Sequence, residues 1–356
     1  MRVDPFEPLT PDDDRYVARP REAGSRGGGG DWLAKRIQRG LCPILLVGHP
    51  GLGKSTELAR AAAVLAENGG FAVLLDLATL RHGSDPDRVL FDVATETVQW
   101  WGQQGPDDQP SPFLVQDLRA SDPHFPQGQG RTLSPLEMAR AAWDELTGAA
   151  DVERLPLLVD GLDALDPDTA RAILSRLLEL QSQAELVVVG APAVAVGSEN
   201  LAVVDRFRMV VLDPLDPESD SGRDFLRAVA RAHLSAVAHG EDDPLPDAVV
   251  DQLVAASGGV LRDLLGLVRD AWAYADDTVD EAAIADAIRD RVERFRRLLH
   301  AGDRNALRAA HGTDGLEVPA DRKVRLLQHG LLLEQGIGED ATVRLHPLVA
   351  RLIDVG

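Results

Sequence analysis

The chain has 356 residues, enough for one large domain or two to three smaller ones with a substantial core. Its hydrophobic fraction of 44% is that of a globular protein, no apolar run approaches a membrane span, and Met1 to Pro5 carry no apolar signal region, which together point to a cytoplasmic protein. A formal net charge of -21 opposes non-specific binding to nucleic acid or anionic lipid, and a single cysteine, Cys42, leaves no internal disulfide to form.

Residues 1–30 are rich in Pro, Asp, Arg and Gly and end in Gly27-Gly28-Gly29-Gly30, the composition of a flexible tail and linker. Within them Arg15-Tyr16-Val17-Ala18-Arg19-Pro20 stands out, with an aromatic and an aliphatic residue among polar neighbours. Asp31 to Gly40 predicts a short helix closed by its glycine, and Ile44 to Val47 the first core strand. Cys42, just ahead of that strand, reads as a small buried residue. The strand runs into Gly48-His49-Pro50-Gly51-Leu52-Gly53-Lys54-Ser55-Thr56, which fits G-x-x-x-x-G-K-[ST] from Gly48 to Ser55, the phosphate-cradling loop known as Walker A. Gly48, Gly51 and Gly53 let the backbone curl so that its N–H groups point at phosphate oxygens. The helix starting near Lys54 adds its positive end, Lys54 reaches the β/γ-phosphates, and the Ser55 hydroxyl ligates Mg²⁺. Only three of the 37 basic residues are lysines (Lys35, Lys54 and Lys323), so chance would seldom put one here.

The helix after the loop carries Leu58, Ala61, Ala62 and Leu65 at helical spacing and stops at Gly69-Gly70. Phe71 to Leu77 is a near-continuous apolar run, as in a parallel strand buried on both faces. A helix is expected from Pro86 to Trp101, an insertion or mobile loop over residues 102–131, and a helix from Leu133 to Leu146. Leu155-Pro156-Leu157-Leu158-Val159 then runs straight into Asp160-Gly161-Leu162-Asp163. A helix from Asp166 to Leu180 and strands at Ala184–Ala191 and Arg208–Leu212 complete the pattern of a doubly wound α/β fold with a parallel sheet. Ligands of such sheets lie at the carboxyl ends of the strands, where both Gly48 and Asp160 fall.

After Asp213 the pattern becomes helical. Asp216-Pro217-Glu218 reads as a helix start, followed by helices at Ser219–His239, Asp247–Ala256, Val260–Ala275 and Val279–His300. From Asp303 on, helices precede a hairpin (Leu331–Gln335 and Ala341–Leu345) and a last helix from Pro347, the order of a winged-helix module. Asp160 closes an apolar strand, where a carboxylate can hold Mg²⁺ through its water shell; the other reading is a turn aspartate, since Asp-Gly pairs favour turns. Asp163 either orients or deprotonates an attacking water or caps the helix that begins near Asp166.

These residues resemble a family. Gly48–Ser55, Val159-Asp160-Gly161-Leu162-Asp163 and the lid and winged helix that follow are similar to the AAA+/STAND class of P-loop ATPases, in particular its bacterial signalling NTPases and archaeal-type origin initiators. The resemblance implies an ATP- and Mg²⁺-binding core at 31–215, a helical lid at 216–300 and a winged helix at 301–356. Residues 1–30 would contribute to the adenine site, with Tyr16 and Val17 beside the base. It makes Asp160 the Walker B residue, and it implies that Arg262, in Gly258-Gly259-Val260-Leu261-Arg262-Asp263, reaches the γ-phosphate. Arg206 or Arg208 would occupy the place of an arginine finger for a neighbouring subunit, each also readable as a solvated surface charge.

The chain departs from the family's pattern in two places. Gly161 follows Asp160 and Ala164 follows Asp163 where many relatives carry glutamate, and Val189-Gly190-Ala191-Pro192 lacks the usual polar sensor-1 residue. The expectation is therefore slow hydrolysis, with nucleotide as a conformational or oligomerisation switch and a homo-oligomer or another protein as partner. Two alternatives stand beside it: a DNA-acting ATPase using the winged helix, and a scaffold that binds ATP without hydrolysing it. From Arg296 to Gly356, nine Arg or Lys face eight Asp or Glu, so Arg322, Lys323 and Arg325 offer only modest phosphate contact and nucleic acid is not the expected partner.

Overall fold

The computed structural model describes residues 9, 13–20, 29–80, 84–104, 110–121, 133–195, 201–237, 246–275, 279–310, 318, 320–336 and 342–354. The chain divides into two compact units. One, the sheet unit, comprises Gly30–Val47 and Glu57–Val210; the other, the loop unit, comprises Met1–Gly29, Gly48–Thr56 and Val211–Gly356.

Strands and helices alternate through the sheet unit and its margins. In chain order they are α1 (Gly30–Gln38), β1 (Ile44–Gly48), α2 (Lys54–Glu67), β2 (Val73–Asp76), α3 (Val89–Gln104), α4 (Pro112–Ser121), α5 (Pro135–Ala149), β3 (Leu155–Asp160), α6 (Pro167–Leu177), β4 (Ala184–Gly190), α7 (Pro192–Ala195), α8 (Leu201–Val204) and β5 (Arg208–Leu212). The strands form one five-stranded sheet in the order β2-β3-β4-β1-β5, with parallel registers such as Leu45 beside Val188, Leu157 beside Leu186 and Leu75 beside Val159. The expected α/β parallel sheet is the fold that the chain adopts. Its inner strands are apolar from end to end because both faces are covered: Leu155 to Val159 and Leu186 to Gly190 are all buried. The outer strand β2 alternates instead, leaving Leu74 42% exposed.

Local chemistry sets the helix starts. Ser134 and Glu137 form a capping box at α5, each side chain accepting the other's backbone N–H. Asp166 caps α6 by accepting from Asp168 N–H (3.2 Å) and Thr169 N–H (3.0 Å), so the cap role is filled without Asp163.

The stretch at 102–131, expected as an insertion or mobile loop, holds the helix α4. Leu114 and Leu118 are buried there, and Ser111 Oγ donates to Glu145 Oε1 at 2.7 Å, tying α4 to α5. Its spacing of apolar residues is too short to read as a period. Residues 105–109 and 122–131 of that stretch lie outside the described residues, as do 1–8, 10–12 and 21–28 of the N-terminal segment.

The loop unit contains α9 (Asp220–Val237), α10 (Asp247–Ser257), α11 (Leu261–Tyr274), α12 (Glu281–Leu298), α13 (Ala301–Ala310), α14 (Ala320–Gln328), the antiparallel hairpin β6 (Leu332–Gln335) and β7 (Thr342–Leu345), and α15 (Pro347–Asp354). The helix expected at Ser219–His239, with its start signal at Asp216-Pro217-Glu218, runs from Asp220 to Val237. Gly222 N–H donates to Ser219 Oγ (3.1 Å), making Ser219 the cap, while the Asp216 carboxylate accepts Glu218 N–H in a turn. One apolar cluster runs through Leu253, Leu264, Ile284, Leu326, Leu332 and Leu348, with Val17 packed against it. The helices at 216–300 and the residues after 301 thus share a core instead of having one each. The unit boundaries also differ from the expected core at 31–215, because Gly48–Thr56 count with the C-terminal residues. Among the described residues, no helix is long and apolar enough to cross a membrane.

Candidate nucleotide site

β1 ends at Gly48 and α2 begins at Lys54, so the loop between them leads directly onto a helix N-terminus. The first turn of α2 therefore presents N–H groups with no partner inside the helix. Within the loop, Leu52 is fully buried and its N–H lies 3.4 Å from the His49 carbonyl. Lys54 is 4% exposed, and its Nζ donates to the carbonyls of Gly48 and His49, both at 2.9 Å. The lysine is thus folded back onto its own loop. Ser55 and Thr56 are half-buried beside it.

The loop is covered by groups of its own unit. Arg262 N–H donates to the Gly51 carbonyl at 2.9 Å, and the Arg262 side chain lies over Gly51, which has φ +87°. A Cβ on Gly51 would fall 2.5 Å from the Arg262 Cβ, so glycine is required there both by conformation and by this close approach. Arg262 is exposed. Arg19 Nη1 donates to the Leu52 carbonyl at 3.0 Å, and its Nη2 to the Asp213 carbonyl at 2.5 Å. Lys54, Arg262 and Arg19 gather positive charge at the loop of a chain whose net charge is -21.

His49, named only as a loop residue by the motif, turns out to bind the hairpin. Its ring is 1% exposed, and Nε2 accepts Glu334 N–H from β6 at 2.7 Å. Burial, together with the nearby Lys54 charge, pulls its pKa down to about 4, so the imidazole is neutral as this acceptor role requires. Glu334 is itself buried, with Lys323 Nζ 2.8 Å from its carboxylate. Two residues on, Gly336 N–H donates to Asp213 Oδ1 at 2.8 Å.

A second polar group surrounds Asp263, the neighbour of Arg262. His346, fully buried, has Nε2 3.2 Å from Asp263 Oδ2 and Nδ1 accepting Leu348 N–H; Arg291 Nη1 lies 3.5 Å from Asp263 Oδ1. The Phe295 ring packs on His346 at 4.8 Å between centroids. Nδ1 is hydrogen-bonded and Nε2 faces the Asp263 carboxylate without a hydrogen bond among the described residues, in a cluster that brings together residues of α11, α12 and the start of α15. Sequence reasoning missed Glu334, Asp213, His346 and Asp263. Contacts between residues as far apart as His49 and Glu334 leave no local pattern.

Tyr16 and Val17 belong to the loop unit with Arg19. Val17 packs against the apolar cluster, so its side chain is already occupied there. Asp13 pairs with Arg15, whose hydrogen bonds hold the carboxyl down at about 2.

Asp160 belongs to the sheet unit. It ends β3, half-buried, opposite Asp76 at the end of β2, and its Oδ1 accepts Gly161 N–H at 2.8 Å. Gly161 has φ +90°, and a Cβ there would fall 2.8 Å from Asp76 Oδ1 and 3.0 Å from Ala78 N. A side chain after Asp160 would therefore need a left-handed backbone and a shift of the Asp76 carboxylate. Asp163 lies half-buried in the short turn Leu162–Ala164. Arg206 and Arg208 are both exposed, flanking the buried Phe207 at the start of β5. Burial first, and then the Glu185 carboxylate, push the Cys42 thiol well above its ordinary range, which keeps it unreactive.

No family model and no curated protein match the sequence. Among solved structures, the chain is similar to the Holliday junction branch migration motor RuvB of Thermotoga maritima, at 17% identity and a TM-score of 0.43, covering 88% of this chain and 89% of that one. It is also similar to domain III of the replication initiation protein DnaA of Thermotoga maritima, at 16% identity and a TM-score of 0.44, covering 80% and 98%.

Proposed function

We propose that the chain binds ATP with Mg²⁺ at Gly48–Thr56 and uses it as a conformational or oligomerisation switch with slow hydrolysis, as an AAA+/STAND-type ATPase. The observation that carries this reading is the buried Lys54 ammonium, held on two loop carbonyls at a helix N-terminus, in a loop whose Gly51 lies against the exposed Arg262. Phosphate oxygens would exchange for those carbonyls as partners of Lys54, and Arg262 would meet the terminal phosphate. Ser55 and Asp160 are the residues to hold the metal, which when bound would neutralise phosphate charge. Their chemistry suits it: a hydroxyl and a carboxylate are the oxygen donors that Mg²⁺ takes. Asp163 is the candidate to orient water, and Arg206 or Arg208 the candidate to act on a second copy.

Slow turnover is supported by the Asp160-Gly161 turn, whose left-handed glycine stands where a second acid would be, and by buried apolar Val189 and Ala191 at the end of β4. These same features favour the scaffold without hydrolysis as the second reading. The test is thermal unfolding with ATP·Mg²⁺. At about 100 times its Kd, nucleotide should stabilise the protein by about 2.7 kcal/mol, and Lys54→Ala should abolish the effect. A wild type whose melting is indifferent to ATP·Mg²⁺ ends the proposal. Phosphate release equal to that of Lys54→Ala, despite tight binding, selects the scaffold.

A further inference from the structure

The hairpin β6–β7 is a sheet of two strands, so β6 has one edge not paired to β7. In an antiparallel ladder, a residue that sends its N–H away from the partner strand does so again two residues on. Glu334 and Gly336 are such a pair. Their N–H groups are taken by His49 Nε2 at 2.7 Å and Asp213 Oδ1 at 2.8 Å. Lys323 closes on the buried Glu334 carboxylate from α14, fixing the strand from its other element. The edge therefore ends on the phosphate loop itself, with the acceptor in a neutral, buried ring.

His49 has a second role at the same time. Its carbonyl is one of the two that hold Lys54 Nζ. A ring pinned by β6 restrains the peptide whose carbonyl retains the lysine, and any anion that draws Lys54 away must compete with that restraint. We infer that His49 is a positioning residue: the free edge of β6, through His49 and Asp213, latches the loop with Lys54 retracted and so couples the C-terminal hairpin to nucleotide binding. The inference rests on the nucleotide-binding reading. Coupling is reciprocal, so nucleotide should loosen the β6 edge by the same factor by which the edge weakens nucleotide.

The experiment compares the wild-type chain with His49→Leu, which removes the acceptor, and with His49→Gln, which supplies a side-chain carbonyl in its place. Amide hydrogen exchange over β6 is measured without nucleotide, and ATP·Mg²⁺ affinity is measured by titration. His49→Leu should speed exchange at Glu334 and tighten ATP binding at least about fivefold, the low end of ordinary coupling between sites. His49→Gln should return both quantities towards the wild type, which a role confined to filling space would not produce. Unchanged exchange at Glu334 in His49→Leu overturns the latch, and so does unchanged or weaker ATP binding. If His49→Leu does not fold, Asp213→Ala removes the other acceptor and should shift Gly336 exchange and ATP affinity in the same directions; no shift overturns the inference. A wild type that binds no ATP brings down the proposed function and the coupling together. Normal wild-type binding with an indifferent His49→Leu brings down the latch alone.

Discussion

The two units are held by different chemistry. In the sheet unit the strand-to-strand contacts are apolar, Leu157, Leu158, Val187 and Val188 being buried with Trp143 and Met138 of α5, and its buried polar contacts, such as Gly30 N–H to Glu57 Oε2 and Arg171 Nε to the Val194 carbonyl, involve no histidine among the described residues. The loop unit has an apolar cluster too, and its polar contacts between distant parts of the chain include two buried histidines, His49 to Glu334 and His346 beside Asp263, together with the half-buried Asp213 to Gly336 and Arg19 to Leu52. Apolar burial is non-directional and tolerant, whereas a buried hydrogen bond depends on its partner and on protonation. The contrast teaches where regulation can reside: in the unit that carries Gly48–Thr56, one proton on His49 would undo the contact to β6.

Acid should break the comparison most. Burial holds both His49 and His233 at about 4, against an ordinary value of 6.5. Above 6.5 both are neutral whether the chain is folded or not. As pH falls from about 6.5 to about 4, the unfolded chain takes up protons that the folded chain refuses, so stability is lost through that window, by about 3 kcal/mol for each histidine. Asp13, held at about 2, extends the loss below 3.8. The sheet unit has no histidine among the described residues. Trp272 is the only tryptophan of the loop unit, so its fluorescence, isolated by replacing the other four, should report unfolding at a higher pH than peptides of the sheet unit do. Simultaneous acid unfolding of both units would contradict the contrast.

A core truncation should act on the other unit. Trp143→Ala, at a position with no exposed surface, should cost about 3–5 kcal/mol by denaturant titration, with no dependence on pH between 7 and 5. Trp143→Phe should cost much less. Its indole N–H is buried without a hydrogen-bond partner among the described residues, so phenylalanine removes a polar group that gains nothing from them.

This division also explains what was legible in the sequence. Leu155–Val159 running into Asp160, and the apolar spacing of Leu58, Ala61 and Leu65, are local patterns, and the strands and helices they predict are present. The Walker A spacing is local as well, and the loop it names leads from β1 to α2. The ring of His49 is a different matter. Its partner lies on β6, and no periodicity or motif links the two positions. The same holds for His346 and Asp263. Asp166 was legible as a helix start, yet Asp216 was not distinguishable from a cap, because the serine that does the capping, Ser219, sits inside the expected helix. The shared core of the helices at 216–300 with α14, β6 and α15 was also hidden, since apolar faces show what is buried and not against which neighbour.

The smallest of these effects tests why a glycine stands at 161. With φ +90° and Asp76 Oδ1 within 2.8 Å of where a Cβ would stand, Gly161→Ala has to adopt a left-handed conformation and move a carboxylate. The conformational part alone costs about 1–2 kcal/mol. Asp76 is exposed and can give way, so the total should stay near that figure if the Asp76 side chain rotates off. Asp76→Ala in the same chain should then recover the steric part and leave the conformational part, and a double-mutant cycle by denaturant titration separates the two. A fully additive cycle would mean that Asp76 does not crowd this position. The absence of glutamate after Asp160 would then follow from the turn's φ alone, a restriction on backbone shape and not on the space beside it.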